Sequence, residues 1–239
     1  AIILGLIQGL TEFLPVSSSG HLEIGQAIFG TASEENLSFT VAVHVATVLS
    51  TIVILWKEIS FLFKGLFTKT WNDEKDYIAK IAISCIPIFI VGVFFKDEVE
   101  ALFGSGLTIV GCCLIVTSLL LAFSYYAKPR VKENISYLDA FIIGLSQACA
   151  VLPGLSRSGS TLAIGEMRGL NKQRALDYAF VLGVPSVLAA GILEFKDAVT
   201  AGAVSADLVP AIIAGIITCD GYVEVPQKVL YMPQKTVLF

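Results

Sequence analysis

Two apolar stretches in this chain end too soon to cross a membrane, and both end at a proline. Ala1–Leu14 runs into P-V-S-S-S-G, and Tyr137–Leu152 runs into P-G-L-S-R-S-G. Each then resumes as a second short helical run, to about Phe29 and Gly169. Half-helices interrupted by proline and glycine are the pattern of re-entrant hairpins. Their broken backbone is tolerated in a bilayer only where protein or a polar cavity covers it.

The setting that makes such hairpins plausible comes from the rest of the chain. A membrane-crossing helix needs about 20 mostly apolar residues. Ser38–Trp56, Ile78–Phe95, Gly106–Ala127 and Leu176–Glu194 meet that requirement, while Leu208–Thr218 starts another span and stops short. With 55% hydrophobic and 15% charged residues and a mean hydropathy of +0.79, the 239-residue chain is too poor in charge to cover a soluble globule. The same numbers exclude disorder, and a net charge of −4 excludes a nucleic-acid binder. The expected fold is an all-α integral membrane protein, an inverted-repeat helical bundle with two re-entrant helical hairpins.

Basic residues set the orientation. If each hairpin returns to the side it entered from, Lys57, Lys64, Lys69, Lys75, Lys128, Arg130, Lys132, Arg168, Lys172 and Arg174 share one side. The other side holds only Lys96 and Lys196 among seven acidic residues, including Glu34, Asp97 and Asp207. The positive-inside rule makes the basic side cytoplasmic. Glu34 and Lys132 are then expected on opposite faces, and the hairpins enter from opposite faces to meet near the midplane.

The hairpins also repeat each other. Gly5-Leu6-Ile7-Gln8 matches Gly144-Leu145-Ser146-Gln147, and Ser17-Ser18-Ser19-Gly20 matches Ser156-Arg157-Ser158-Gly159, both at an offset of 139; Pro15 and Pro153 deviate from it by one residue. Inverted repeats place their site at the repeat interface.

The polar residues at the breaks suit an anion. Gln8 and Glu12 share one helical face, and a carboxylate among Leu10, Phe13 and Leu14 needs a partner. Ser17, Ser18 and Ser19 precede Gly20-His21; one serine there would serve as an N-cap, but three exceed what capping requires. Ser156, Arg157, Ser158, Ser160 and Thr161 repeat the offer in the second hairpin. Two half-helix N-termini and a guanidinium suit an oligophosphate, unless Arg157 merely pairs with Glu12. Glu12 can hold a divalent ion, and His21 or a serine can act as nucleophile, with His21 alternatively a general acid or base. His44 reads as a packed core residue, and Glu23 faces away from His21. Cys85, Cys112, Cys113, Cys149 and Cys219 form no C-x-x-C pair and read as small buried apolar residues.

Q-G-L-T-E-F-L-P-V-S-S-S-G-H and P-G-L-S-R-S-G-S-T resemble the two signature motifs of the undecaprenyl-diphosphate phosphatase family of the bacitracin-resistance type, and the similarity runs from about Ala1 to Thr218. The resemblance implies a bacterial inner-membrane enzyme that hydrolyses undecaprenyl diphosphate to the monophosphate and phosphate, recycling the cell-wall lipid carrier. It implies a site between the re-entrant loops, open to the periplasm or cell exterior, and a divalent metal, Mg²⁺ or Ca²⁺. On this chain Glu12 and Gln8 would be the metal and diphosphate residues, Ser17, Ser18 and His21 the catalytic stretch, and Arg157 the diphosphate clamp. Ser19, Ser156, Ser158 and Thr161 would help to hold phosphate. Many members of that family carry Glu where this chain has Gln8. Membrane lipids and the polyprenyl diphosphate are the implied partners, and a homodimer is compatible. The alternative from another class is an inverted-repeat transporter or lipid flippase, against which the S-S-S-G-H stretch argues. Residues 1–218 are expected to form one membrane domain. The start at Ala1, already inside an apolar run, suggests an N-terminal truncation. The tail 219–239, with Pro226 and Pro233 and no span, replaces the last hydrophobic helix of the family.

Overall fold

The computed structural model describes residues 2–12, 14–30, 52–53, 56–67, 70–102, 106–128 and 130–200. Most of Ser38–Trp56 with His44, the segment Leu208–Thr218 and the tail 219–239 lie outside the described residues. The described elements are helical: α1 (Ile2–Glu12), α2 (Ser18–Phe29), α3 (Trp56–Leu66), α4 (Asp73–Phe94), α5 (Lys96–Leu102), α6 (Leu107–Tyr126), α7 (Tyr137–Cys149), α8 (Arg157–Met167) and α9 (Lys172–Thr200).

Three of these, α4, α6 and the Lys172–Leu193 part of α9, are long and apolar enough to cross a membrane. They correspond to three of the four full spans expected from sequence. α9 extends beyond Leu176–Glu194 at both ends. Its start is fixed by Asn171, whose side chain accepts from Arg174 N at 2.8 Å, so the basic first turn belongs to the helix although it is not apolar. α4 begins at Asn72, which accepts from Lys75 N at 2.9 Å, and its acidic first turn complements the helix dipole. Large apolar residues such as Phe89 and Val93 on α4 and Ile115 and Leu119 on α6 are exposed, as lipid-facing residues are.

The short helices form two hairpins. A Cβ built on Gly25 of α2 would lie 3.0 Å from Leu4 and 3.1 Å from Ile7 of α1, so the first hairpin folds back along itself. In the second, the start of α7 and the end of α8 meet at one acidic residue. Asp139 is fully buried and accepts from Ser136 N at 2.9 Å, Ser136 Oγ at 2.7 Å, Arg168 Nε at 3.0 Å and Lys132 Nζ. Lys172, at the start of α9, donates to Ser124 O near the end of α6 at 2.8 Å. Lys132, Arg168 and Lys172 therefore gather at one end of the bundle, the grouping expected for residues on one side.

The core lies between α4, α7, α8 and α9, around Ile81, Ile143, Leu162, Leu170, Tyr178 and Leu182. Ser84 of α4 donates to Ala140 O at 2.5 Å and shares a 2.7 Å hydrogen bond with Tyr178 OH, so these three polar groups satisfy one another. The helices approach most closely at Gly144, where a Cβ would lie 2.4 Å from Ser84 O and 2.7 Å from Ser84 Cα. Backbone atoms cannot rotate away from an added methyl group. Gly144→Ala is expected to force α4 and α7 apart and destabilise the bundle by about 1–3 kcal/mol, the usual cost of overpacking; thermal unfolding in detergent measures it.

Candidate active site

Each hairpin changes direction over a few residues and restarts with a serine-capped helix. In the first, Val16 N donates to Leu14 O at 2.8 Å across the Pro15 turn. Ser17 follows at φ 67°, ψ 94°, among the described residues the one non-glycine at positive φ. A buried serine held there stores strain of about 1–3 kcal/mol, a cost usually met where geometry serves a function. Its Oγ accepts from Gly20 N at 3.4 Å, capping α2, and lies 3.2 Å from Ser19 Oγ. Its carbonyl receives His21 Nδ1 at 2.8 Å. A carbonyl only accepts, so Nδ1 carries the hydrogen and Nε2 of the neutral ring keeps its lone pair.

The second hairpin copies this cap. Ser156 Oγ accepts from Gly159 N at 3.1 Å and lies 3.4 Å from Ser158 Oγ. Thr161 Oγ1 donates back toward Arg157 O at 2.9 Å and Ser158 O at 3.2 Å, bracing the first turn of α8. Gly154 sits at φ 91°, where a Cβ would come within 2.5 Å of Val110 O on α6. Thr117 of α6 completes the support: its hydroxyl donates to Gly154 O at 2.9 Å and accepts from Ser156 N at 2.9 Å. Sequence reading missed Thr117, a buried hydroxyl in the middle of an apolar span. Its signal was visible, but nothing local says that it faces a break 37 residues away.

The two tips touch reciprocally. A Cβ on Gly20 would lie 2.8 Å from Gly154 Cα, and a Cβ on Gly159 would lie 3.0 Å from Pro15 O. Gly20 and Gly159 are repeat mates at the offset of 139, and so are Pro15 and Gly154; α2 and α8 also start 139 residues apart. The contact of Gly20 with Gly154 is therefore repeated by their mates, Gly159 with Pro15, as happens between elements related by a two-fold axis.

At this junction Glu12 is the hub. Its Oε2 accepts from Ser18 Oγ at 2.5 Å and from Gln8 Nε2 at 2.9 Å, and its Oε1 lies 3.7 Å from Arg157 Nη2. The structure thus brings together Gln8, Glu12, Ser18 and Arg157 from both hairpins, with His21, Ser17, Ser19, Ser156 and Ser158 on the adjoining first turns. At 3.7 Å the Arg157–Glu12 contact is a loose ion pair, and the guanidinium donates no hydrogen bond to any described residue. Its planar fork remains available for an anion. Glu23 is half-buried on α2 and joins none of these contacts.

Among the described residues no group of three or more His, Cys, Asp or Glu is placed to hold a metal by itself. The available donors are the Glu12 carboxylate and the Gln8 amide oxygen, which is buried without a hydrogen-bond partner among the described residues. Hard oxygen donors of this kind fit a hard divalent ion such as Mg²⁺ or Ca²⁺.

Fold and geometry together define a helical membrane protein in which two repeated hairpins meet at a cluster of polar side chains. The chain belongs to the bacitracin resistance protein BacA family, which it matches over residues 1–232, past the Thr218 boundary and into the tail. It is 56% identical to an undecaprenyl-diphosphatase of Bacteroides fragilis over 95% of this chain and 89% of the relative. A Bacteroides thetaiotaomicron undecaprenyl-diphosphatase is also 56% identical, over 95% of this chain and 90% of its own. One from Methanococcus vannielii is 41% identical over 90% and 86%.

Proposed function

We propose that the chain hydrolyses undecaprenyl diphosphate to undecaprenyl phosphate and inorganic phosphate, and so returns a cell-wall lipid carrier to its monophosphate form. The carrying observation is an Arg157 fork that donates no hydrogen bond to any described residue, beside the Glu12–Ser18 pair, where two helix N-termini also converge. N-terminal N–H groups and a guanidinium stabilise negative charge without reorganising, which favours a phosphoryl-transfer transition state. Family membership and the names of the relatives support the same reaction.

Ser18 is the nucleophile in this reading. Its hydroxyl already donates to Glu12, so the proton passes to that carboxylate as Oγ attacks the terminal phosphorus. The bond from phosphorus to the bridging oxygen breaks, and the prenyl monophosphate leaves with the electron pair. Water then cleaves the phosphoserine, giving its proton to His21 Nε2, the nitrogen left free by the Nδ1–H bond to Ser17 O. Arg157 holds the transferred oxygens, while Ser19, Ser156 and Ser158 line the adjoining turns, with Thr161 bracing one of them. A divalent ion on Glu12 and the Gln8 amide oxygen would neutralise phosphate charge when bound.

The hairpins enter the membrane from opposite faces and return in this reading, and the site opens to the periplasm or cell exterior of an inner membrane. The gathering of Lys132, Arg168 and Lys172 at one end supports that orientation. The test is product analysis with purified full chain: one inorganic phosphate and one undecaprenyl phosphate per diphosphate consumed. Turnover is expected to stop with EDTA and return with Mg²⁺ or Ca²⁺. Consumption without phosphate release would reject the reaction.

A further inference from the structure

Beside the satisfied polar groups of the junction stand two buried ones that the mechanism above does not use. Gln147 on α7 is fully buried, and neither atom of its amide has a hydrogen-bond partner among the described residues. Ser160 on α8 is 3% exposed, and its hydroxyl is likewise unpaired. Both flank the break of the second hairpin: Gln147 lies one helical turn before Val151, and Ser160 one turn after the cap Ser156. Turning the amide over changes nothing, because both of its ends lack partners.

The repeat explains how this arose. Gln147 is the mate of Gln8 and Ser160 the mate of His21, each at the offset of 139. Gln8 spends its N–H on Glu12. The mate of Glu12 is Val151, which offers no acceptor, so Gln147 is left unpaired. An unpaired buried amide is costly, and an apolar side chain of similar size would avoid the cost. Its retention beside a phosphate site points to a ligand that supplies the missing partners.

We propose that Gln147 and Ser160 form a neutral phosphate-binding half-site, which holds the prenyl-linked phosphoryl group of the substrate and then the monophosphate product. This rests on the phosphatase reading above. A diphosphate is two phosphoryl groups about one bridging oxygen, and the reciprocal Gly20–Gly154 and Gly159–Pro15 contacts give the junction a matching two-fold relation. The halves differ in charge. One carries Glu12, His21 and Arg157, suited to the more highly charged terminal phosphoryl group. The other offers amide N–H and hydroxyl donors without formal charge, suited to the singly substituted phosphoryl group that departs.

The experiment compares wild type with Gln147→Leu and Ser160→Ala, following long-chain product by chromatography with farnesyl phosphate or inorganic phosphate as inhibitor. The Ki for farnesyl phosphate is expected to rise about tenfold in Gln147→Leu and severalfold in Ser160→Ala, the loss of hydrogen bonds to a charged group. The Ki for inorganic phosphate should stay within about twofold, and Gln147→Leu should unfold no earlier than wild type, since it removes an unpaired group. Unchanged inhibition by both ligands, or equal weakening of both, would overturn the half-site. So would a lower melting temperature for Gln147→Leu together with normal inhibition in Ser160→Ala, which would make Gln147 a packing residue. If wild type shows no turnover, the phosphatase reading fails by itself. Thermal stabilisation by farnesyl phosphate that is present in wild type and absent in Gln147→Leu would still establish the half-site, and equal stabilisation of both would overturn it.

Discussion

Arg157→Ala should abolish phosphate release, with a fall of about a thousandfold or more in kcat/KM, equivalent to about 4 kcal/mol of transition-state stabilisation. The size follows from geometry. Arg157 stands on the first turn of α8, its guanidinium 3.7 Å from Glu12 and hydrogen-bonded to no described residue. Its N–H groups are therefore held in reserve for the ligand instead of being spent on the fold. Removing it leaves the partly buried Glu12 carboxylate facing a dianionic phosphoryl group without compensation. Arg157→Lys restores the charge but not the bidentate fork, and should recover only part of the loss, about tenfold to a hundredfold. The melting temperature should change little in either variant, because a loose, part-exposed ion pair contributes about 1 kcal/mol or less. Steady-state kinetics beside thermal unfolding in detergent separates the two effects.

Glu12→Gln and Ser18→Ala should each lower kcat by about a thousandfold or more. The 2.5 Å Ser18–Glu12 hydrogen bond makes the pair one device: the carboxylate takes the proton that the hydroxyl must lose. Glu12→Gln keeps the side-chain shape but cannot accept that proton, and it also removes the counter-charge of Arg157. Because the residues act as a unit, the double variant should be scarcely worse than either single one. Ser18→Ala retaining near-normal turnover would move the nucleophile to His21, whose Nδ1 is held by Ser17 O and whose Nε2 meets no described partner.

Much of the site was legible because the chain writes its exceptions against an apolar background. A carboxylate, a guanidinium and a serine cluster stand out in a chain with 15% charged residues, and each lies beside a helix break that proline makes visible. The spans over α4, α6 and α9 were legible for the same reason, though only the apolar part of α9 could be seen and not its polar first turn. The 139-residue offset foretold the pairing of the hairpins. The tertiary devices that exploit it were not legible. Thr117 bracing Gly154, the Gly20–Gly154 approach and the Gly144–Ser84 crossing depend on contacts between distant segments, which no local pattern encodes. The left-handed Ser17 was hidden for another reason: sequence offers glycine as the signal for that conformation, and the chain places a serine there. Asp139, which no sequence pattern singled out, closes the capping box of α7 and also gathers Lys132 and Arg168.

In the proposed mechanism, chemistry happens where the two hairpins touch. Gly20→Leu tests it most directly, because Gly20 carries no functional group and touches the partner hairpin through bare backbone. A side chain there starts 2.8 Å from Gly154 Cα and 3.3 Å from Leu114, so the hairpins must separate. The core around Tyr178 and Leu182 lies elsewhere and should keep its melting temperature. Phosphate release from undecaprenyl diphosphate should fall by about a hundredfold or more in a folded protein, since misplacing reacting groups by about 1 Å costs that much. Full turnover by a folded Gly20→Leu protein would contradict the claim, and would place the reacting groups within a single hairpin.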